Sequence, residues 1–149
     1  MEKGRRFPDD PAVMLPILKA ADVTLCGDTG CGQVVKLVNN ALVFENTLAL
    51  AEMMVIGERA GVAPATLLDA VSKGSGDSFA LRNHGRKSLL PRSFPEKSFP
   101  PEYALKDLGY VLELAGQVEV DARVARLAQR YYASAAEHGW DGRYYPAVI

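Results

Sequence analysis

One uninterrupted stretch decides the fold of this chain: QVVKLVNNALVFENTLALAEMMVIGER, residues Gln33 to Arg59. It contains no proline and no glycine before Gly57, and strong helix formers (Ala, Leu, Met and Glu) dominate it. At about 1.5 Å per residue, such a helix is about 40 Å long. Because apolar residues occur nearly all round it, we expect other helices to cover it. The sequence predicts an all-α domain of about five to seven helices around one long central helix.

Glycine and proline divide the rest of the chain into shorter helices. Gly61 suits the C-cap of the long helix, and Pro64 suits the first turn of the next one. Asp77 or Ser78 is the expected N-cap of a further short helix. The proline-rich stretch PRSFPEKSFPP, residues 91–101, is too broken for regular structure and is expected to be a connection.

Two amphipathic helices are predicted after this connection, within residues 101–117 and 120–139, with Gly139 as the C-cap of the second. Their apolar side chains recur at helical spacing, so we expect these side chains to face the core. The predicted inward residues are Tyr103, Leu105, Leu108, Leu112 and Ala115 in the first helix, and Val124, Leu127, Ala128, Tyr131 and Ala135 in the second.

The N-terminal region has a different character. Residues 1–14 are charged and proline-containing and are expected to form a flexible lead, ahead of a helical domain at residues 15–149. A short helix is expected around Pro16. The segment DVTLCGD predicts a short strand from Val23 to Cys26. No second strand is predicted, and a single strand cannot form a sheet by itself.

Charge and composition exclude several classes of partner. The formal net charge is −1, and no basic run is interleaved with aromatic residues, so we expect no nucleic-acid partner. The most apolar segment contains Glu45, Asn46 and Glu52, which argues against a membrane-spanning helix. The first residues lack the apolar core of a signal peptide. We therefore expect a cytoplasmic protein without a membrane partner.

The two cysteines do not indicate a metal site. Cys26 and Cys31 are far along the chain from His84 and His138, and a zinc site needs about four ligands at a recognisable spacing. No metal is therefore predicted. Reduced thiols are the preferred interpretation of the cysteines, and a disulfide across the short loop is the alternative.

The glycines that precede the long helix suggest a phosphate-binding loop, but their spacing excludes one. A P-loop needs Lys and Ser or Thr directly after its last glycine, whereas Gly32 is followed by Gln33 and Lys36 comes a turn later. A dinucleotide fingerprint needs a third glycine where Val35 stands, and it needs a parallel βαβ unit. The free amides at the helix start could still attract an anion.

A narrow polar stripe runs along the otherwise apolar helix. Lys36, Asn39 and Asn40 lie within about 100° of one another, and Thr47 returns to the same stripe. Burial of an unpartnered lysine is costly, so we expect Lys36 to face a cleft, where partial desolvation would suit it for proton transfer. The alternative is that Lys36 is a solvated surface residue and that the asparagines cap or cover the helix.

Taken with its neighbours, this stretch resembles a known family. GDTGCGQVVKLVNN, residues 27–40, resembles the GxxGxGxxxKxxNN motif of the β-hydroxyacid dehydrogenases, which include 3-hydroxyisobutyrate dehydrogenase and tartronate semialdehyde reductase. The family's KDL signature appears at residues 106–108, with the preceding phenylalanine at Phe99. The ending DGRYYPAVI resembles the family's D-x-S-A-[LVI]-I, with Tyr145 and Pro146 in place of serine. The resemblance covers residues 15–149 and implies a helical domain like the C-terminal domain of 6-phosphogluconate dehydrogenase.

The resemblance implies a role for each motif residue. Lys36 is expected to be the general acid/base, while hydride passes to or from the nicotinamide. The expected substrate-binding residues are Asn40, Asn39 and Gly32, and the expected cofactor-binding residues are Lys106, Asp107 and Phe99. The implied function is oxidation of a small 3-hydroxy acid, or the reverse reduction, with NAD or NADP.

The resemblance also implies partners. The family's N-terminal Rossmann domain, which holds the cofactor, is not among these 149 residues, so we expect weak or no NAD(P) binding and no turnover by this chain alone. The strand Val23–Cys26 resembles the last strand of that domain. Expected partners are a second copy of the chain and a separate Rossmann-domain chain. The alternative function is a non-catalytic helical dimerisation module derived from the family.

Overall fold

The computed structural model describes residues 24–96, 98–140 and 142–148. They belong to two compact units, Met1–Gly32 and Gln33–Ile149. The predicted lead at residues 1–14 and the predicted helix around Pro16 lie outside the described residues. The helices are α1 (Cys31–Arg59), α2 (Pro64–Val71), α3 (Leu81–Leu89, a helix of π type), α4 (Pro101–Gln117) and α5 (Arg123–Ala135), followed by a π-type turn, Ala136–Trp140. The described chain is therefore all-α, as predicted.

The predicted strand is not formed in the part of it that the structure describes. Thr24–Cys26 has no regular secondary structure, and Val23 lies outside the described residues. A strand is stable only with a partner to receive its backbone hydrogen bonds.

The turn that follows needs its glycines, because Gly27 and Gly30 have φ of +117° and +101°. The amide of Cys31 donates a hydrogen bond to the carbonyl oxygen of Asp28 at 3.0 Å, where α1 begins.

Three of the predicted helix ends are confirmed, whereas α5 ends at Ala135, before the predicted C-cap Gly139. Gly61 has φ of +90°, and the amide of Val62 donates back to the carbonyl oxygen of Gly57 at 2.9 Å, which closes α1. Pro64 is the first residue of α2. Ser78 is the N-cap ahead of α3, since its Oγ accepts a hydrogen bond from the amide of Leu81 at 3.1 Å.

In the part of the chain that the structure describes, the long helix is buried along one face and keeps exposed apolar side chains elsewhere, so other helices surround it only in part. Its buried residues form a single stripe: Leu37, Ala41, Phe44, Thr47, Leu48, Ala51 and Met54. Its exposed apolar residues are Val34, Val35, Val38, Leu42, Met53 and Ile56. By length and composition alone α1 could also cross a membrane, but its buried stripe is the centre of the domain core.

The second amphipathic helix buries a face that overlaps the predicted one but is turned away from part of it. Ala128 and Ala135 are buried as predicted, but Val124 and Tyr131 are exposed and the fully buried aromatic residue is Tyr132. Leu127, another predicted inward residue, is exposed as well. A step of one residue turns a helix by about 100°, and α5 has apolar side chains on both of the faces concerned. The buried face of α5 carries small alanines beside Tyr132.

The first amphipathic helix follows its predicted register more closely. Leu108 and Ala115 are buried, and Leu105 and Leu112 are partly buried against the core. Tyr103 is the exception, since half of its surface is exposed and Ala104 is buried in its place. The core consequently continues from α1 through α4 to α5, where the hydroxyl of Tyr132 donates to the carbonyl oxygen of Phe44 at 3.1 Å.

Candidate active site around Lys36 and Asp107

The carboxylate of Asp107 is the centre of the candidate site. It lies on the buried face of α4, and 5% of its side chain is exposed. Lys36 Nζ lies 3.3 Å from Oδ1 and 3.4 Å from Oδ2, and Asn40 Nδ2 donates to Oδ2 at 2.6 Å. A buried carboxylate is costly unless it is paired and hydrogen-bonded. The two side chains from α1 meet that requirement.

The spacing of Lys36 and Asn40 explains how one carboxylate can hold both. The two residues are four apart, so they lie on the same face of α1 about one turn from each other. Asn39 extends the group, since its Nδ2 donates to Asn40 Oδ1 at 3.3 Å. The polar stripe predicted from the sequence is therefore a hydrogen-bonded cluster at this point, which we call the lysine cluster: Lys36, Asn39, Asn40 and Asp107.

Lys36 is not buried, because 47% of its side chain remains exposed. The carboxylate holds the ammonium at one side while the other side is open to solvent and to small molecules. The geometry suits a group that is fixed in place and can still exchange a proton with something that enters from outside. The cleft expected around Lys36 stays a prediction.

Thr47 does not continue the polar stripe. It is fully buried, its Oγ donates to the carbonyl oxygen of Val43 at 2.7 Å, and Tyr145 Oη lies 3.4 Å away. Threonine often bonds the carbonyl four residues back in a helix, which satisfies its hydroxyl without solvent. Thr47 has the spacing of the polar stripe but belongs to the core.

Two further predicted site residues, Phe99 and Lys106, form a second group together with Tyr103. The rings of Phe99 and Tyr103 are 5.2 Å apart, and Lys106 Nζ lies 5.3 Å from the centre of the Tyr103 ring. Phe99 also stacks on Phe44, at 5.9 Å between ring centres. We call these three residues the aromatic–lysine group. Lys106 and Asp107 are adjacent on α4, so they point about 100° apart, one toward the tyrosine and one toward the lysine cluster.

Sequence reasoning missed the part that Tyr145 plays beside these residues. Its ring lies 5.2 Å from that of Phe44 and 5.8 Å from that of Phe99, and its amide donates to the carbonyl oxygen of Phe99 at 2.9 Å. Burial raises the pKa of Tyr145 far above its usual range, so the phenol stays protonated. The sequence marked Tyr145 in one way, because it stands with Pro146 where the family ending has serine. Tyr145 thus holds Phe99 in place from the C-terminal segment.

The structure thus brings together six of the seven predicted site residues in two groups. The lysine cluster includes Asp107, which the sequence assigned to the cofactor side. The remaining residue, Gly32, is the second residue of α1 and belongs to the unit that precedes Gln33. The cluster's closest pairings join residues 67 and 71 positions apart, so no local pattern in the sequence could have indicated them.

Comparisons with known proteins identify the family of this chain. Residues 30–149 match the protein family described as NAD-binding of NADP-dependent 3-hydroxyisobutyrate dehydrogenase. Among characterised relatives, 2-(hydroxymethyl)glutarate dehydrogenase of Eubacterium barkeri is 32% identical over 86% of this chain and 42% of its own length.

Solved structures show the same fold. A 3-hydroxyisobutyrate dehydrogenase from Salmonella typhimurium superposes with a TM-score of 0.83 at 26% identity, over 93% of this chain and 49% of that one. The Mycobacterium tuberculosis 3-hydroxyisobutyrate dehydrogenase solved with L-serine gives a TM-score of 0.73 at 26% identity, over 83% of this chain and 44% of that one. The chain spans half or less of the length of these relatives. It belongs to the 3-hydroxyisobutyrate dehydrogenase family and matches the NAD-binding domain of that oxidoreductase family.

Proposed function

We propose that this chain supplies the acid–base and substrate-orienting side chains of an NAD(P)-dependent oxidoreductase that interconverts a small 3-hydroxy acid and its carbonyl form. The observation that carries the proposal is the lysine cluster, in which a buried carboxylate holds Lys36 and Asn40 side by side. The printed names of the relatives support the class of reaction. That the substrate is a small 3-hydroxy acid is likewise proposed.

Lys36 is the proton-transfer group in this proposal. Its amine, when neutral, takes the proton from the substrate hydroxyl as the carbonyl forms, and its ammonium returns the proton in the reverse direction. Asp107 is the positioning residue, because it fixes the lysine amine without covering its exposed side. The side-chain amide of Asn40 has two N–H donors, and one of them bonds the carboxylate of Asp107. The other donor orients an oxygen of the substrate.

The aromatic–lysine group fits a nicotinamide dinucleotide. Phe99 and Tyr103 have exposed ring surface that a planar apolar ring can contact, and Lys106 is an exposed cation that a phosphate can pair with. When bound, the cofactor accepts or donates the hydride of the substrate carbon. The phosphate cradle of such cofactors belongs to a Rossmann βαβ unit, of which the described residues contain none. The chain alone is therefore proposed to bind NAD(P) weakly and to show no turnover.

The test combines this chain with a Rossmann domain. The N-terminal domain of the Salmonella typhimurium relative is fused ahead of the 149 residues, and reduction of NAD(P)⁺ by 3-hydroxy acids is followed. The unfused chain should show no turnover. In the fusion, Lys36→Met should lower kcat by roughly 10²–10⁴-fold, as expected for loss of a general acid/base. Lys106→Met should mainly raise the KM for the cofactor.

The matched control is Lys73→Met, which removes an exposed lysine outside both groups. It should leave kcat and KM unchanged. If Lys36→Met retains full activity in an active fusion, the proposed role of Lys36 is wrong. If Lys36→Met and Lys73→Met behave alike, the lysine cluster is a structural ion pair.

We also propose that the chain forms a homodimer. Two exposed apolar stripes support this: Val35, Val38 and Leu42 on α1, and Val124, Leu127 and Tyr131 on α5. Each has the i, i+3, i+7 spacing of a helix face that another helix can cover. These stripes also support the alternative function, a helical module that serves only for dimerisation. Loss of activity in the Lys36→Met fusion with the dimer intact would exclude that alternative.

A further inference from the structure

A cavity lies toward the other end of α1, far from the lysine cluster. Its volume is about 760 Å³, within the roughly 300–1,000 Å³ typical of small-molecule sites. The nearest lining residue on α1, Ala51, is 15 residues from Lys36, which corresponds to about 22 Å along the helix. The oxidoreductase proposal makes no use of this cavity, which we call the arginine cavity.

The walls of the arginine cavity combine an apolar floor with two aromatic rings. Met54, Leu89 and Leu90 contribute apolar surface, and the rings of Phe94 and Trp140 meet edge to face at 6.3 Å between their centres. Together these side chains can contact the apolar body of a ligand. A cavity of this kind with a few convergent polar groups is the usual form of a small-molecule site.

The charges of the cavity are mainly positive. Among the lining residues that the structure describes, Arg59, Arg92 and Arg143 stand beside one carboxylate, Glu58. Arg92 Nη2 lies 3.2 Å from Glu58 Oε2, so this carboxylate is already paired. Arg59 lies in the last turn of α1, where a cation also offsets the helix dipole. The described lining therefore favours a ligand that brings a negative charge.

Arg143 is positioned to bind an anion. The carbon of its guanidinium lies 5.2 Å from the centre of the Trp140 ring. A guanidinium in such a cation–π contact can still present its N–H donors to a carboxylate, which can take two of them. The backbone around Arg143 is held in place, because it forms an antiparallel bridge with Glu96 and the amide of Tyr144 donates to the carbonyl oxygen of Pro95 at 3.1 Å.

The backbone of Arg92 provides an independent observation. Its φ is +50°, a left-handed conformation that costs a non-glycine residue free energy. Glycine or asparagine would adopt this conformation at a lower cost. Residues held in such conformations concentrate at ligand sites. At the rim of the arginine cavity, the residue with this backbone conformation is also the one whose side chain pairs with Glu58.

We propose that the arginine cavity binds an amphipathic organic anion, a carboxylate with an apolar aliphatic or aromatic body. The carboxylate bonds the guanidinium of Arg143, with Arg59 as the second cation, and the apolar body lies against Trp140, Phe94 and the floor. Arg92 keeps Glu58 paired and so prevents repulsion of the ligand. The site is separate from the proposed oxidoreductase site and does not depend on it.

Trp140 is the only tryptophan of the chain, so its fluorescence reports on the cavity directly. The 149-residue chain is titrated with sodium octanoate and, for comparison, with octan-1-ol, which has the same apolar body without the charge. Octanoate should bind saturably and more tightly than octanol. Added NaCl should weaken the binding of octanoate and leave the binding of octanol unchanged. Arg143→Gln should weaken octanoate binding about tenfold, as for loss of a charge-assisted bidentate contact.

Arg92→Gly separates binding from folding. Glycine adopts a φ of +50° without strain, so the melting temperature should stay the same or rise, while octanoate binding weakens because Glu58 loses its partner. The first control, Arg126→Gln, removes an exposed arginine that lies outside the cavity. The second, Ser134→Ala, changes a residue of a neighbouring cavity that Trp140 also lines. Both should bind octanoate like the unchanged chain.

The proposal is overturned if octanol binds as tightly as octanoate, if Arg143→Gln binds like the unchanged chain, or if octanoate gives no saturable signal. Absence of octanoate binding, together with a dimer that Trp140→Leu dissociates, would assign the cavity to a second copy of the chain instead. Equal loss of binding in Ser134→Ala and Arg143→Gln would place the ligand in the neighbouring cavity.

Discussion

Asn40 Nδ2 donates a hydrogen bond to Asp107 Oδ2 at 2.6 Å, the shortest contact of the lysine cluster. It joins α1 to α4 across 67 residues, and it satisfies a carboxylate that is almost completely buried. The same carboxylate carries the Lys36 ammonium, so one side chain connects the stability of the domain with its proposed chemistry.

Removal of the Asp107 carboxylate should destabilise the domain. Asp107→Ala leaves Asn40 without its buried acceptor and Lys36 without its counter-charge, so we expect the free energy of unfolding to fall by about 1–3 kcal/mol. Urea denaturation followed by circular dichroism measures it. Glu113→Ala, an exposed carboxylate on the same helix, should change it by less than about 0.5 kcal/mol. Equal stability of the two variants would show that the cluster does not hold α1 and α4 together.

Stability should decrease in mild acid because of His84. Its ring lies between Phe79 and Tyr145, and Nδ1 is 2.8 Å from Tyr144 Oη. Burial, and then the charge of Lys87, lower the pKa of His84. As the pH falls below about 6.5, the ordinary pKa of histidine, His84 is therefore protonated in the unfolded chain before it is protonated in the folded chain. The stability that neutral His84 contributes is complete above that pH and is lost as the pH falls through the lowered pKa.

The pH effect is isolated by comparing variants. Burial raises the pKa of Glu45, so protonation of Glu45 favours the folded state in acid and opposes the effect of His84. The slope of unfolding free energy against pH should become flatter in His84→Gln than in the unchanged chain. His138→Gln, which removes the other histidine, should keep the slope. An unchanged slope in His84→Gln would contradict the assignment.

A charge on the exposed face of α5 should prevent dimerisation. Leu127 is an exposed leucine at the middle of that stripe, and Leu127→Asp would place a carboxylate in the proposed apolar interface. Sedimentation velocity at micromolar concentration should show a dimer for the unchanged chain and a monomer for this variant. Arg130→Asp, at another exposed position on α5, should remain a dimer. A monomeric unchanged chain would exclude the homodimer.

The register of α5 can be tested with two neighbouring tyrosines. Tyr132 is fully buried, whereas Tyr131 is exposed. In the Leu127→Asp background, Tyr132→Ala should lower the free energy of unfolding by about 3–5 kcal/mol, as for loss of a large core side chain. Tyr131→Ala should cost less than about 1 kcal/mol. The opposite order would restore the register predicted from the hydrophobic pattern.

Tyr132→Phe is a finer version of the same test. It keeps the ring and removes only the hydroxyl that donates to the carbonyl oxygen of Phe44 at 3.1 Å. We expect a loss of about 0.5–1.5 kcal/mol, the usual net contribution of one hydrogen bond. Thermal or urea unfolding measures it, and Tyr131→Phe should be neutral.

The sequence by itself determined the helices and most of their ends. Proline and glycine act through the local backbone: Pro64 opens α2 because its φ suits a first turn, and Gly61 closes α1 because it adopts a positive φ. Ser78 caps the next helix through a bond to an amide three residues away. The family motif also predicted Lys36, Asn40 and Lys106 as site residues.

The tertiary structure decided what each side chain faces. The hydrophobic pattern of α5 permits two faces, and only packing against α1 and α4 selects Tyr132 over Tyr131. Thr47 has the spacing of the polar stripe, but Tyr145, 98 residues away, lies against it in the core. Asp107 meets Lys36 across 71 residues for the same reason. Caps and turns depend on neighbours along the chain, whereas burial and pairing depend on neighbours that only the folded chain brings together.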